Sequence, residues 1–326
     1  MAVYTDLGTE QLAELIAAYD VGSLRSAKGI AEGVSNSNWL IETSGAGEHD
    51  GESGARFILT MYERRIETAD LPFFLDLLDH LSAAGCPVPR TVHDRAGASF
   101  RMVDGKAVAL IEFLPGVSPT TPSPAQARAV GVALARMHAA AQDFAHARAN
   151  ELGPKQNLAT LEACGDELAQ IDNALPQTIE RARHLVSHWP SDLPSSIVHS
   201  DLFPDNVLML GDQVSGLIDF YFACTDQMAY DLAVTHAAWC FSKDGRRFDA
   251  ALGHALVDGY ESVRPLSAQE RDALPLLAEG ACLRFVASRA QDWIETPPGA
   301  LVTRKDPMDF VRRWDTYRDR SHAAFA

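Results

Sequence analysis

Residues 197–207 read Ile197-Val198-His199-Ser200-Asp201-Leu202-Phe203-Pro204-Asp205-Asn206-Val207, and residues 217–220 read Leu217-Ile218-Asp219-Phe220. The first stretch sets a His two positions before an Asp and an Asn five positions after it. The second ends a short apolar run on another Asp. Ser196 to His199, Asn206 to Leu210 and Gly216 to Asp219 read as short strands, with Gly211-Asp212-Gln213 as the turn joining the last two. The pattern predicts a hairpin carrying Asn206 at one end and Asp219 at the other. An isolated H-x-D with a downstream Asn arises by chance in ordinary loops, so the hairpin context is what gives the spacing its meaning.

These residue types suit one chemistry. Moving the γ-phosphoryl group of ATP to an alcohol needs the hydroxyl aimed in line and the phosphate charge neutralised by Mg²⁺. Asp201 is the group to accept or hold the hydroxyl proton. Asn206 and Asp219 offer hard oxygen ligands of the kind Mg²⁺ takes, and Asn adds a ligand without another negative charge beside the phosphates.

Composition bounds the rest. The chain has 326 residues, enough for one large or two smaller domains, and is 47% hydrophobic and 22% charged, as expected of a globular protein. No apolar run is long enough to span a bilayer, and Met1 to Asp6 lacks a signal-peptide pattern, so the expected compartment is the cytoplasm. Five cysteines without a C-x-x-C pair indicate reduced, buried thiols rather than a disulfide framework or a zinc knuckle. A formal net charge of −16 argues against nucleic acid or an anionic membrane as partner.

Along the chain, Leu12, Leu15, Ile16 and Tyr19 mark an amphipathic helix with Thr9 as its N-cap. Gly29 to Asn38 followed by Trp39 to Thr43 reads as strand, tight loop, strand, with backbone N–H groups able to cradle phosphates. Arg56 to Glu63 is a strand, Phe74 to Leu81 a helix, and Val108 to Phe113 a buried strand. The Pro-, Ser- and Thr-rich run from Pro115 to Pro124 is a boundary, beyond which the chain turns mostly helical. Ser123 caps the first of these helices, and His138 beside its apolar face is expected to be a satisfied core histidine. Asp231 opens a helix running through Trp239, with a structural role, and two further helices are expected over about Ala268 to Glu279 and Cys282 to Ile294.

Taken together, the stretches Gly29 to Asn38, Phe57 to Arg65, Leu71 to Phe74, Val198 to Val207, Leu217 to Thr225, and Asp292-Trp293 with Thr296 to Leu301 resemble the aminoglycoside phosphotransferase (choline kinase-like) superfamily. More narrowly, they resemble its bacterial homoserine kinases. The resemblance implies an α+β, bilobal protein kinase-like fold, with a small antiparallel-sheet lobe over residues 1–114 binding nucleotide and a larger helical lobe over 115–326 carrying catalysis and the acceptor. It implies transfer from ATP to L-homoserine, a step towards threonine, with Asp201 as base and Asn206 and Asp219 holding Mg²⁺. Ser35, Asn36, Ser37 and Asn38 would lie over the phosphates, and Glu112, Phe113 and Leu114 would bind adenine through backbone groups.

One position departs from the kinase-like pattern. Thr60 stands where the third strand usually carries a Lys or Arg for the α- and β-phosphates; Arg64, Arg65 and Lys28 are nearby cations, and Asp76 and Asp79 are candidate acidic partners on the next helix. For the amino-acid acceptor, chemistry asks for an Arg, a carboxylate and an apolar wall, and Arg284, Arg289, Asp292 and Trp293 lie on one candidate helix. The competing readings are a phosphotransferase of the same fold acting on an aminoglycoside, choline or a sugar, and a nucleotide-binding module without catalysis, to which Thr60 gives some weight. A protein kinase is disfavoured because no A-P-E segment is present.

Overall fold

The computed structural model describes residues 7–30, 36–45, 54–63, 67–297 and 304–325. It divides into two units, Met1–Pro115 and Gly116–Ala326.

In the first unit, alternating apolar residues make strands with two usable faces. β1 (Leu24–Ile30), β2 (Asn36–Thr43), β3 (Ala55–Tyr62), β4 (Thr91–Val92), β5 (Arg101–Val103) and β6 (Lys106–Glu112) form one antiparallel sheet in the order β1-β2-β3-β6-β4, with β5 also paired to β6. Trp39, Ile41, Phe57, Leu59, Met61, Val108 and Leu110 share one face and pack on Leu12, Leu15 and Ile16 of α1 (Thr9–Ala17). The N-cap of α1 is Gly8, not Thr9: the Gly8 amide donates to the Gln11 side chain at 3.1 Å, so the turn closes one residue earlier than a hydroxyl cap would place it. α2 (Leu71–Ala83) is tied to β4 through Asp79, which accepts from the Thr91 amide at 2.8 Å. The short hairpin of β5 and β6 turns on Asp104-Gly105, both at positive φ, the dipeptide that favours such turns.

The second unit is mostly helical. α3 (Pro124–Ala140) is capped by Ser123, whose hydroxyl accepts from the Gln126 amide at 3.2 Å. Its Gly131 meets α8 (Ala250–Glu261), as described below. α4 (Pro154–Cys164), α5 (Leu168–Ile171) and α6 (Gln177–Ser187) precede β7 (Ser195–Val198). The expected hairpin is β8 (Val207–Leu210) paired with β9 (Gln213–Leu217), and β7 pairs with β10 (Cys224–Gln227). α7 (Met228–Trp239) is buried along its whole length, so it has no apolar stripe to read.

The two helices expected after residue 268 are one: α9 (Ala268–Glu295) runs 28 residues with Pro275 inside it. Gly280, which reads as a break in the sequence, continues the helix because its bare Cα lies against the Trp189 ring; a Cβ there would fall 2.3 Å from that ring. α10 (Met308–Arg320) closes the unit. No helix among the described residues is long and apolar enough to cross a membrane. Among the described residues the five cysteines form no disulfide, and all but Cys164 are buried.

Candidate active site

The site is built around the turn that leaves β7. Ser200 adopts φ +69°, a left-handed conformation that costs a non-glycine residue energy and persists where surroundings hold it. The holder is Asp231, fully buried on α7. Its carboxylate accepts from the amides of His199 and Ser200, each at 2.7 Å, and lies 3.0 Å from His138 Nε2. His138 Nδ1 is 2.8 Å from the Tyr260 hydroxyl. His138 is therefore a satisfied core histidine, and Asp231 braces the turn. Burial alone would raise the Asp231 carboxyl, but the hydrogen bonds from His138 and the His199 amide outweigh it and hold it below the usual carboxylate range.

His199 links this turn to the strand before Asp219. Its Nδ1 accepts from the Asp201 amide at 3.3 Å, so Nε2 carries the proton and donates to the Ile218 carbonyl at 3.0 Å. Burial pushes the imidazole pKa down and keeps it neutral, against the opposing charges of Asp231 and Asp201. Asn206 adds a second link. Its Nδ2 donates to the Asp201 carbonyl at 2.8 Å and stands 3.3 Å from Asp201 Oδ2, which leaves Asn206 Oδ1 as the end of the amide able to face a cation. The Ile218 amide donates to the Asn206 carbonyl at 3.0 Å, so Asp219, at φ +67°, follows directly beside Asn206. Asp201, Asn206 and Asp219 thus meet in one place.

Behind them stands Arg284 of α9, almost fully buried between the Phe222 and Phe285 rings, with its carbon 5.3 and 5.1 Å from their centroids. Nη1 donates to the Ser200 carbonyl and, at 2.5 Å, to the Ser200 hydroxyl, while Nη2 lies 3.8 Å from Asp201 Oδ1. The Asp201 side chain keeps 20% of its surface accessible. Burial raises its carboxyl, and Arg284, His199 and Lys305 oppose that rise. Asp219 remains open to an incoming ligand, yet the crowding of protein around it, with the like charges of Asp201 and Asp205, pushes its carboxyl up to about 7. Hard oxygens from Asn206 and Asp219 amid three crowded carboxylates make a donor set that fits a divalent cation.

The remaining expected residues are dispersed. Arg284 and Arg289 are five residues apart, about 140° around the helix axis, and point to different neighbours. Arg289 pairs with Asp309 at 3.0 Å, Asp292 is exposed, and Trp293 lies under Arg304. In the first unit, Thr60 is buried and donates to Asn38 Oδ1 at 2.9 Å; Asn36 lies on the same face, its buried Oδ1 without a hydrogen-bond partner among the described residues. Ser37 points to the other face and donates to Glu63 at 2.7 Å, and Glu63 pairs with Lys106. Ser35, Arg64 and Arg65 lie outside the described residues, as do the last residues of the Thr296 to Leu301 segment. Lys28 stands on β1 opposite Leu40, on the face of Thr60. Asp79 is taken by Thr91 and His93. The Glu112 amide donates to the Arg90 carbonyl at 3.0 Å, the Glu112 carboxylate accepts from the Arg90 amide at 3.4 Å, and Phe113 carries the Arg56 guanidinium 4.3 Å over its ring. The residues missed from sequence are Lys305, which acts on Asp201 and Asp219, and the bracing use of Arg284; each comes from an element far along the chain.

Residues 26–266 match the phosphotransferase enzyme family. The homoserine kinase of Methylobacterium radiotolerans is 48% identical over 99% of this chain and 98% of its own, and that of Gluconacetobacter diazotrophicus 48% identical over 98% and 97%. Among solved structures, a spectinomycin phosphotransferase in complex with ADP and spectinomycin superposes with a TM-score of 0.67 at 14% identity, covering 95% of each chain. An amicoumacin kinase in complex with AMP-PNP and Ca²⁺ gives 0.66 at 14% identity, covering 97% of this chain and 94% of its own. The family match over residues 26–266 and relatives 48% identical along almost the whole chain show that this chain belongs to the phosphotransferase enzyme family, in its homoserine kinase group.

Proposed function

We propose that this chain transfers the γ-phosphoryl group of ATP to the side-chain hydroxyl of L-homoserine, giving O-phospho-L-homoserine and ADP, a step towards threonine. The observation that carries the reading is the meeting of Asp201, Asn206 and Asp219 in a chain 48% identical to homoserine kinases along almost its whole length. The new bond joins the homoserine oxygen to the γ-phosphorus, the bond to the β–γ bridging oxygen breaks, and ADP leaves with that electron pair. Asp201 receives the hydroxyl proton. His199 and Asn206 hold the Asp201 loop, Asp231 fixes its backbone, and Arg284 keeps a positive charge behind the carboxylate. Asn206 Oδ1 and the Asp219 carboxylate would hold Mg²⁺, which when bound neutralises phosphate charge. The first unit would take the nucleotide through the segment ending at Asn36, Ser37 and Asn38 and through the backbone of Glu112 to Leu114. With ATP and a free amino acid as substrates, the reaction belongs in the cytoplasm.

The test is ADP release over a panel of alcohols: L-homoserine, choline, an aminoglycoside and a sugar. Turnover is expected to be highest with L-homoserine; silence with it and turnover of another alcohol would overturn the acceptor assignment. Chelation of divalent cations is expected to stop the reaction and Mg²⁺ to restore it, and Asp219→Ala to remove that restoration. Full Mg²⁺-dependent activity in Asp219→Ala would remove the residue from the metal site.

A further inference from the structure

Protein kinases set a Lys of the third strand beside the phosphates, and the sheet of the first unit has no cation at that level. In register, the row across β1, β2, β3 and β6 is Ile30, Asn38, Thr60 and Ala109, without a charged side chain. Lys106 belongs to the face that packs on α1, two residues before Val108, and is paired with Glu63. Lys28 stands one row away, opposite Leu40 on β1. The face of Thr60 offers an apolar row and a polar row instead. Leu40 pairs with Ile58, both half-buried, and two residues along the strands Asn38 pairs with Thr60. Such rows are about 7 Å apart, which leaves room for a ribose between a base on the apolar row and phosphates at the polar one. Asn38 also lies beside Ile30, the last described residue of β1, where the chain enters the Gly33 segment.

The two polar side chains divide the work unequally. The Thr60 hydroxyl donates to Asn38 Oδ1 at 2.9 Å; Thr60 is buried and Asn38 half-buried. A carboxamide held by its oxygen keeps one orientation, with the N–H bonds of Nδ2 turned away from the hydroxyl. Among the described residues that nitrogen donates to nothing, and it is not sealed from solvent. Thr60 therefore does not replace the missing cation itself. It orients a neutral donor on the neighbouring strand, and a donor already oriented has little freedom left to lose on binding.

Resting on the transfer reading above, we propose that the first unit holds the phosphates nearest the base through a neutral donor where a protein kinase uses a strand Lys: Asn38 Nδ2, turned outward by Thr60, donates to the α- and β-phosphate oxygens of the nucleotide. Asn38 is the contact and Thr60 the positioning residue. Ser37, between Asn36 and Asn38 in sequence, has no part in this, because its hydroxyl is on the other face and donates to Glu63.

The experiment titrates the full chain calorimetrically with Mg·ADP and with Mg·AMP-PNP, as wild type and as Asn38→Ala, Asn38→Asp, Thr60→Val and Thr60→Ser. Asn38→Ala is expected to weaken both nucleotides about 10- to 100-fold, the effect of losing one hydrogen bond to a charged group. The two losses are expected to be equal, since the α- and β-phosphates are common to both ligands. Asn38→Asp separates a contact from a structural role. It keeps the shape and still accepts from Thr60, so a pair that only ties β2 to β3 would tolerate it. A phosphate donor would not, and its affinity is expected to fall below that of Asn38→Ala. Thr60→Val frees the amide to turn and is expected to cost about 3- to 10-fold, with Thr60→Ser recovering most of that loss. In steady state the Asn38 variants are expected to raise the KM for ATP and leave the KM for L-homoserine little altered. Asn38→Ala with wild-type affinity would overturn the proposal, as would Asn38→Asp with wild-type affinity. A loss confined to AMP-PNP would overturn it by moving the contact to the γ-phosphate. A loss in Lys28→Met that Asn38→Ala does not share would overturn it by giving the phosphates a cation from β1. The titrations use no acceptor, so they decide the matter whichever alcohol the panel identifies. A wild-type chain that bound neither nucleotide would defeat the transfer reading and Asn38 with it.

Discussion

Asp201 shows how one side chain can be both placed and tuned. Burial raises its carboxyl above the usual carboxylate range, and Arg284, His199 and Lys305 oppose that rise. Replacing it with Asn keeps shape and neighbours and removes only the proton acceptor. Asp201→Asn is expected to lower kcat about 10²- to 10⁴-fold, the range for a general base, with ATP affinity retained; steady-state kinetics and a nucleotide titration check both, and unchanged turnover would remove Asp201 from the role. Asp201, Asn206 and Asp219 were legible from sequence because their spacing is local: one loop and one hairpin bring them together whatever the rest of the fold does. Arg284 was legible only as a residue of interest. Its proximity to Asp201 depends on how α9 is rotated: the sequence pattern pointed it to the acceptor, and the structure sets it beside Asp201 and Ser200. Lys305 carried no local signal, because it is a lone Lys before an Asp-Pro helix start.

At the scale of elements, strands were easier to read than helix ends. The strands of the first unit alternate between a face on α1 and a face carrying Asn36, Asn38 and Thr60, and a period of two survives in sequence. α7 has no such stripe, since all of its residues are buried, and Gly280 imitates a helix break that packing against Trp189 cancels. The crossing of α3 and α8 was invisible for a similar reason. Gly131 and Gly259 look like weak points in helices, but they let two backbones touch: a Cβ at Gly131 would fall 2.1 Å from the Leu256 carbonyl oxygen, and one at Gly259 would fall 2.1 Å from that of Arg128. Tyr260 follows directly and supports His138, which supports Asp231 beneath the catalytic turn. Gly259→Ala is expected to destabilise the chain by about 1–3 kcal/mol through overpacking, even though Ala favours helix by about 1 kcal/mol. Urea unfolding measures this. A stabilised variant would mean that the helices separate at no cost, and that the crossing does not hold the His138–Asp231 brace in place.

Across the whole molecule, the balance of apolar and charged residues and the change from alternating to helical patterning near Pro115 were enough to give a mixed α+β chain; the pH response was not, because it depends on which histidines the packing seals in. His236 is one of these. It lies on fully buried α7 with Nδ1 2.6 Å from the Tyr317 hydroxyl of α10, and the rings of Phe248, Tyr317 and Phe325 surround it at 4.5–5.9 Å. Burial, with His254 adding like charge, lowers its pKa from 6.5 to about 3. The folded chain therefore keeps His236 neutral where the unfolded chain protonates it. Above about pH 6.5 neither state binds the proton and the stability is fully present; as pH falls from 6.5 towards 3 the unfolded state takes up the proton first and stability is lost. In the candidate site, His199 is lowered by burial in the same sense. Between pH 6 and 5 the contribution of His236 approaches one proton, about 1.4 kcal/mol of unfolding free energy per pH unit. Urea unfolding of wild type and of His236→Asn at pH 7.5, 6.5, 6.0 and 5.0 isolates this, because a general loss of packing in the variant offsets its stability equally at every pH and leaves the slope to report the proton. The wild-type curve is expected to fall more steeply than that of the variant below pH 6.5 and to run parallel to it above; parallel curves throughout would show that His236 takes up its proton without unfolding the helices around it.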